Sequence, residues 1–169
     1  MKRILFFIIC AVGVSLVFVS CFFVCDKYFF MVPLPKEIPF EIRADSYGNG
    51  YFGTNRSGGR RHNGIDLMAP LNTSVLAAKS GIVITTDTKN GAGNYIVIWH
   101  WPNLKSYYMH LSEIKVKKWQ PVRQGQIIGK SGKTGNANYK NMTPHLHFEI
   151  REYDVPQDIL KRLKFGALR

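Results

Sequence analysis

Short runs of β-forming residues, separated by glycine and turn residues, recur along the chain beyond residue 74. Such runs predict strands that fold back on one another, and no long βαβ crossover is evident between them. We therefore predict a mainly β fold, an antiparallel sheet or open barrel, with one short helix over residues 155–164 near the C-terminus. The predicted strands are residues 74–78, 81–86, 94–101, 106–110, 126–128 and 145–151.

The N-terminus is dominated by an apolar segment, residues 4–25, which carries no charged side chain and follows two basic residues. A helix of this length spans about 33 Å, enough to cross a bilayer core of ~30 Å. We predict that residues 1–30 form an uncleaved single-pass anchor in the cytoplasmic membrane, with the remainder on the extracytoplasmic, periplasmic side. The alternative is a lipoprotein anchored at Cys21, because residues 18–20 resemble a relaxed lipoprotein cleavage box.

Composition limits what the exported part can do. Three prolines in residues 31–42 predict an extended linker, and residues 43–169 have room for one compact domain. All three cysteines lie in the apolar segment, so neither a cysteine nucleophile nor a cysteine metal ligand is available in that domain. The exported part has 21 basic and 11 acidic residues, and its net charge of +10 either suits an anionic partner or simply keeps the surface soluble; the predicted location excludes nucleic acid.

Histidines recur in patterns that bring side chains together. His145 and His147 lie two residues apart in a predicted strand, and therefore on the same face. His62 and Asp66 flank an Asn-Gly turn signal, which predicts that they meet across a tight bend. Each pattern alone is more often structural than functional.

His110 ends another strand-like run, so that four histidines and one carboxylate come from three separate stretches. A catalytic zinc site needs three nitrogen or oxygen ligands, one open position for water, and acid–base groups beside it. The sequence contains neither a G-x-S-x-G nucleophile motif nor an HExxH helix, which leaves a metal site as the best use of these residues. His100 has no partner motif nearby, and we assign it a structural role.

Five motifs together resemble lysostaphin-like, LytM-type zinc metalloendopeptidases, in the same order and at similar spacing. The resemblance covers about residues 43–159 and implies a mostly antiparallel β fold of the duplicated hybrid motif type, with a groove above the sheet. Enzymes of this family cut peptide bonds in bacterial peptidoglycan. The motifs are HNGID, GAGNYIVIWH, YYMHLS, VRQGQIIGKSGKTG and PHLHFEIR.

The resemblance also implies roles for individual residues. His62, Asp66 and His147 match the ligands of one zinc ion, and His110 and His145 match the pair that assists catalysis. The implied function is hydrolysis of the peptide cross-links between peptidoglycan stem peptides during cell-wall remodelling. The alternative is a non-hydrolytic domain of the same fold that binds peptidoglycan or activates another hydrolase; the five intact positions count against it.

Several further residues are candidates for supporting roles. We expect Glu149 to orient His147 from the same strand face rather than to bind the metal. Ala92 stands where the family often has an aromatic residue, which is expected to alter the shape of the groove. Candidates for the groove itself, by their proximity in sequence, are Asn55, Arg56, Arg61, Tyr95, Thr134, Asn136 and Asn141.

Overall fold

The structure is a computed structural model that describes residue 26, residues 29–161 and residue 163. The apolar segment of the predicted membrane anchor, residues 4–25, lies outside these residues, and so does the lipoprotein cysteine, Cys21. Within the described part of the chain, no helix has both the length and the apolar character needed to cross a membrane.

The described residues include eleven strands and three short 3₁₀ turns, and no α-helix occurs among them. The prediction of a mainly β, antiparallel fold is confirmed. The strands are β1 Ala44–Asp45, β2 Gly48–Asn49, β3 Ile65–Met68, β4 Ser74–Leu76, β5 Gly81–Lys89, β6 Gly93–His100, β7 Leu104–Ile114, β8 Pro121–Val122, β9 Ile127–Ser131, β10 His145–Glu152 and β11 Val155–Gln157; the 3₁₀ turns are Ser57–Gly59, Gly135–Ala137 and Ile159–Lys161.

One large antiparallel sheet runs in the order β11, β10, β7, β6, β5, β8. Three more strands extend it: β3 pairs with β10, β9 pairs with β7, and β4 pairs with β9. Strand β10 lies between β7 on one edge and β3 followed by β11 on the other. His147 and Phe148, near the start of β10, are therefore flanked by residues from two other strands.

Strand β10 divides its side chains between the two faces of the sheet. Leu146, Phe148 and Ile150 are fully buried in the hydrophobic core, as the alternation of a strand requires. His145 and His147 therefore point to the opposite face. The core beneath them gives the site a rigid floor.

The predicted linker, residues 31–42, packs onto this core instead of extending freely. Leu34 is buried together with Phe30, which precedes the predicted linker. The backbone N–H of Met31 donates to the carbonyl of Ala78 at 2.9 Å, which fixes the segment against the sheet. The N-terminal segment thus contributes to the folded domain.

The helix predicted over residues 155–164 is wrong for its first half. Tyr153 and Asp154 both have positive φ, and this two-residue turn folds the chain back so that Val155–Gln157 pairs with the end of β10. Pro156 is tolerated there because β11 is an edge strand. The apolar spacing that suggested a helix serves a single turn, in which Ile159 lies in the core.

Candidate metal centre

Three side chains from separate parts of the sheet meet at the start of β10. His147 lies directly opposite Asp66 of β3 in the strand register, and His62 comes from the segment just before β3. The Nε2 of His62 is 2.9 Å from Nδ1 of His147 and 3.1 Å from Oδ1 of Asp66, and the last two atoms are 2.8 Å apart. The three predicted ligands therefore form one buried cluster with the donor set of a metal site.

The hydrogen bonds at the far side of each ring decide where the protons are. Nδ1 of His62 lies 2.9 Å from the carbonyl oxygen of Tyr51, which can only accept, so Nδ1 carries the proton. Nε2 of His147 lies 2.9 Å from a carboxylate oxygen of Glu149 and likewise donates. In these neutral tautomers, the facing atoms, Nε2 of His62 and Nδ1 of His147, carry no proton and each has a lone pair available for a metal.

Two lone pairs and a carboxylate oxygen within 3.1 Å of one another repel unless a positive charge lies between them. Ligands of a tetrahedral zinc ion, each at ~2.0–2.1 Å, are about 3.3 Å apart, close to the spacing seen here. The donor set of two imidazoles and one carboxylate also matches catalytic zinc. The residues present therefore fit a zinc ion.

The charged groups around the cluster shift one another's pKa. Burial alone raises the pKa of Asp66, but hydrogen bonds to His147 and His62 hold it well below the usual range. Burial alone lowers the pKa of His147, but hydrogen bonds to Asp66 and Glu149 raise it to about 9. Without a metal, the cluster thus attracts a proton to the position that a cation would take.

Glu149 supports His147 as the sequence predicted. Its Oε1 accepts from the ring of His147, and its Oε2 is bound by Arg151 at 2.6 Å. Burial opposes ionisation of Glu149, yet the bond to His147 and the charge of Arg151 lower its pKa. An ionised Glu149 fixes the tautomer that leaves Nδ1 of His147 free for a metal.

His110 and His145 lie beside this cluster with their ring centroids 5.1 Å apart. In both rings Nδ1 donates to a backbone carbonyl, that of Thr134 at 2.9 Å and that of Thr143 at 2.8 Å. Their Nε2 atoms therefore carry lone pairs. Burial lowers the pKa of both imidazoles, that of His110 to about 3, so both are neutral at pH 7.

The position of His110 depends on a β-bulge that the sequence did not reveal. Tyr108 and Leu111 both lie in the core, so regular alternation is broken between them. The register with β6 has one extra residue here, and His110 has a φ of 65°. This left-handed conformation turns the ring out of the core and towards His145.

The loop that contains Thr134, whose carbonyl accepts from His110, lies close to the sheet. The hydroxyl of Thr134 accepts from the backbone N–H of Asn94 and donates to the carbonyl of Leu111, both at 3.0 Å. Gly93 has a φ of 64°, and a Cβ there would collide with the Oγ1 of Thr134. Glycine at this position allows Thr134 to reach the ring of His110.

The sequence model of peptidase family M23 matches residues 60–159 of the chain, and this range includes all five site residues. The chain belongs to peptidase family M23. The resemblance inferred from the five sequence motifs is therefore confirmed.

Relatives of this M23 chain include enzymes that act on peptidoglycan. It is 42% identical to the peptidoglycan DD-endopeptidase ShyA of Vibrio cholerae over 59% of this chain and 22% of that protein. A crystal structure of a zinc-containing peptidase from V. cholerae has a TM-score of 0.65 and 35% identity over 76% of this chain and 38% of the other. The catalytic domain of lysostaphin from Staphylococcus simulans has a TM-score of 0.59 and 32% identity over 72% of this chain and 97% of that domain. The chain thus spans about a fifth of the curated relative it matches.

The M23 site opens into a groove of about 1030 Å³. Four of the predicted groove residues line it: Asn55, Arg56, Arg61 and Asn136. Ala92 lines it as well, consistent with an effect on its shape. Tyr95, Thr134 and Asn141 are not among the lining residues.

Sequence reasoning missed several residues of the groove. Tyr47 and Tyr139 stack at its rim with ring centroids 5.4 Å apart, although they lie far apart in the chain. Arg43 lies beneath the groove and binds Asp66. None of the three belongs to a motif, so no local signal marked them.

His100 is the last residue of β6, at the end of the strand away from Gly93, and it is fully buried. Its Nδ1 donates to the carbonyl of Ser80 and its Nε2 bonds the hydroxyl of Ser106, both at 2.8 Å. Its structural role, predicted from the sequence, agrees with these contacts.

Proposed function

We propose that this M23 domain is a zinc-dependent endopeptidase that hydrolyses peptide cross-links of peptidoglycan. The observation that carries the proposal is the meeting of two imidazole ring nitrogens and one carboxylate oxygen, with two further imidazoles beside them. The names of its relatives support peptidoglycan as the substrate. The intact site favours hydrolysis over a role in binding alone.

The ligands of the ion would be Nε2 of His62, Oδ1 of Asp66 and Nδ1 of His147. Zinc, when bound, supplies a Lewis acid that polarises the scissile carbonyl and lowers the pKa of water. Glu149 keeps the ring of His147 oriented, and Arg43 and Arg56 occupy the other oxygen of Asp66. These contacts leave one carboxylate oxygen for the ion.

His145 and His110 would handle the protons. Because Nδ1 of each ring donates to a carbonyl, Nε2 of each is a proton acceptor in the resting site. We assign His145 as the general base that takes the proton of the attacking water at Nε2 and returns it to the leaving amine. His110 orients the reacting groups from the opposite side of the cluster and can donate only after it has itself been protonated.

The decisive test is digestion of purified sacculi by the full chain, followed by mass spectrometry of the soluble products. We expect release of muropeptides cut in the peptide cross-link, at one zinc ion per chain, and no release by a folded His62→Ala variant. Binding to sacculi without release, at full zinc content, would contradict the proposal and favour the non-hydrolytic alternative. The identity of the cut bond follows from the product masses.

We also propose that residues 4–25 tether the domain to the cytoplasmic membrane with the groove directed away from it. Asp26, next after the apolar segment, accepts from the backbone N–H of Ser80 at 3.2 Å. The carbonyl of Ser80 also accepts from the ring of His100, which is the last residue of β6. Gly93, the first residue of β6, lies at the end of the strand near the metal centre. The 8 residues of β6 separate these two ends by roughly 25 Å.

Fractionation of cells that express the full chain tests the tether. We expect the protein in the membrane fraction, resistant to alkaline extraction, and expect Cys21→Ser to leave this unchanged. Loss of membrane attachment in Cys21→Ser, together with an acyl mass on the wild type, would favour the lipoprotein instead. Recovery of the wild type in the soluble fraction would contradict both.

A further inference from the structure

A buried arginine outside the ligand set connects two parts of the site. Arg43 is only 2% exposed, and its Nη2 donates to Oδ2 of Asp66 at 3.0 Å. Arg56 binds the same oxygen at 2.8 Å. The carboxylate is thus divided, because Oδ2 is held by two guanidinium groups while Oδ1 faces the two ring nitrogens.

The other end of the Arg43 guanidinium leads away from the metal centre. Its Nη1 donates to Oδ1 of Asp45 at 2.5 Å. Oδ2 of Asp45 accepts from the backbone N–H of Thr143 at 3.0 Å, and the carbonyl of Thr143 accepts from Nδ1 of His145 at 2.8 Å. A continuous chain of contacts therefore joins Asp66 to His145 through Arg43 and Asp45.

The backbone holds Arg43 in place. Its N–H donates to the carbonyl of Asp66 at 2.9 Å, and its carbonyl accepts from the N–H of Gly50 at 2.8 Å. A Cβ on Gly50 would lie 2.8 Å from the Cβ of Asp66, so only glycine fits between the two segments. This packing fixes the backbone from which the guanidinium reaches both carboxylates.

Stability alone does not account for a buried charge of this kind. An ion pair removed from water often contributes no more than an apolar residue of similar volume. In addition, Nε of Arg43 is the one buried side-chain nitrogen or oxygen, among the residues that the structure describes, without a hydrogen-bond partner. An unpaired buried donor has a cost in stability, and such costs are typical of functional sites.

We propose that Arg43 and Asp45 are positioning residues: Arg43 aims one oxygen of Asp66 at the metal, and Asp45, through Thr143, fixes the ring of His145. Neither residue touches substrate in this scheme. The proposal deepens the proposed function and rests on it for the catalytic role of His145. The part that concerns Arg43 depends on metal binding alone.

Zinc affinity tests Arg43 without any substrate. We expect Arg43→Met, which removes the charge but keeps most of the volume, to weaken zinc binding about 10–100-fold in competition with a chelating dye. Arg43→Lys should recover only part of this loss, since one ammonium group cannot bridge both carboxylates as a guanidinium does. Melting temperatures of the metal-free proteins are measured in parallel.

Ser106→Ala is the matched control, because Ser106 is a buried polar residue at the far end of β7 that bonds His100. We expect it to lower the melting temperature and leave zinc affinity within about twofold of the wild type, since it lies outside the metal centre. Arg43→Met with wild-type zinc affinity and a similarly lowered melting temperature would overturn the proposal and make Arg43 purely structural.

Asp45→Asn tests the other half of the network, at saturating zinc. We expect kcat on sacculi to fall about tenfold with KM unchanged, and ring ¹⁵N NMR to show His145 leaving the pure Nδ1–H tautomer. An unchanged tautomer would overturn the role of Asp45. If the wild type itself cut no peptidoglycan, the proposed function would fail, while the NMR and zinc measurements would still decide this proposal.

Discussion

At the scale of single residues, the backbone of His110 illustrates how the site is assembled. A non-glycine residue with positive φ costs of order 1–3 kcal/mol, and such residues concentrate at functional sites. Here the cost is offset by the bond from the ring to Thr134, and its effect is to place an imidazole beside His145 rather than in the core. Regular alternation would have left the site with one histidine fewer.

The strain at His110 predicts an unusual order of stabilities for two substitutions. His110→Gly should be more stable than His110→Ala by about 1 kcal/mol, because glycine adopts a φ of 65° without steric cost. Urea denaturation of the two purified variants measures the difference. At an ordinary strand position alanine would be favoured, and that result would show that the left-handed conformation is absent.

Separate roles for the two histidines predict separate pH–rate profiles. His145→Ala should remove the acid limb of the pH profile of kcat/KM, because it removes the base. His110→Ala should lower the rate by at most about 10²–10⁴-fold and keep that limb. The profiles are measured on sacculi at saturating zinc. Loss of the same limb in both variants would contradict the assignment.

At the scale of elements, the segment before β1 behaves as part of the domain. Phe30 is fully buried, and the centroids of its ring and the ring of His100 are 5.9 Å apart. Its neighbour Phe29 is 50% exposed. A short linker was expected in this region because of its prolines. Burial of alternate apolar side chains holds it to the sheet instead.

The two phenylalanines provide a matched pair of substitutions. Phe30→Ala should reduce the free energy of unfolding by about 3–5 kcal/mol, the usual cost of removing a buried phenylalanine. Phe29→Ala should change it by less than about 1 kcal/mol, because half of that side chain is already in solvent. Equal effects in chemical denaturation would show that the segment does not dock as described.

At the scale of the whole molecule, folding and the chemistry of the site are linked through protons and metal. His100 is neutral in the fold because burial, with a smaller effect from the charge of Lys79, lowers its pKa from 6.5 to about 4 despite the bond to Ser80. The unfolded chain binds a proton at this residue below pH 6.5, and the folded chain does not until about pH 4. Stability therefore falls as the pH falls through this window.

This linkage gives a measurable slope. Through His100, the free energy of unfolding should fall by about 1.4 kcal/mol for each pH unit between 6.5 and 4, or about 3 kcal/mol in total. His100→Gln should be less stable than the wild type at pH 7 and should lose less stability between pH 6.5 and 4. Urea denaturation at several pH values measures both, and parallel curves for the two proteins would contradict the neutral, buried state of His100.

Zinc should stabilise the whole domain because its ligands assemble only in the fold. At a free concentration 100 times the dissociation constant, a ligand of the folded state adds about 2.7 kcal/mol. A chelator should therefore lower the Tm of the wild type and leave that of His62→Ala unchanged. A wild-type Tm that does not respond to the chelator would contradict a tightly bound ion.

Much of this protein can be predicted from local sequence patterns. The alternation in residues 145–151 places His145 and His147 on one face because successive side chains of a strand point to opposite sides. The short β-forming runs predict an antiparallel sheet because strand propensity and turn signals act over a few residues. The histidines and the carboxylate of the metal centre are visible for the same reason, since their types and spacing are written in the chain.

The tertiary structure alone decided how those residues act. The ring nitrogens of His62 and His147 meet across 85 positions of sequence, and their proton positions depend on acceptors, Tyr51 and Glu149, that only the fold supplies. The bulge at His110, the buried Arg43 and the strand in place of a helix at β11 likewise depend on register and packing between distant segments. Local sequence carries the residue types, whereas long-range contacts set the direction of each lone pair, charge and backbone turn.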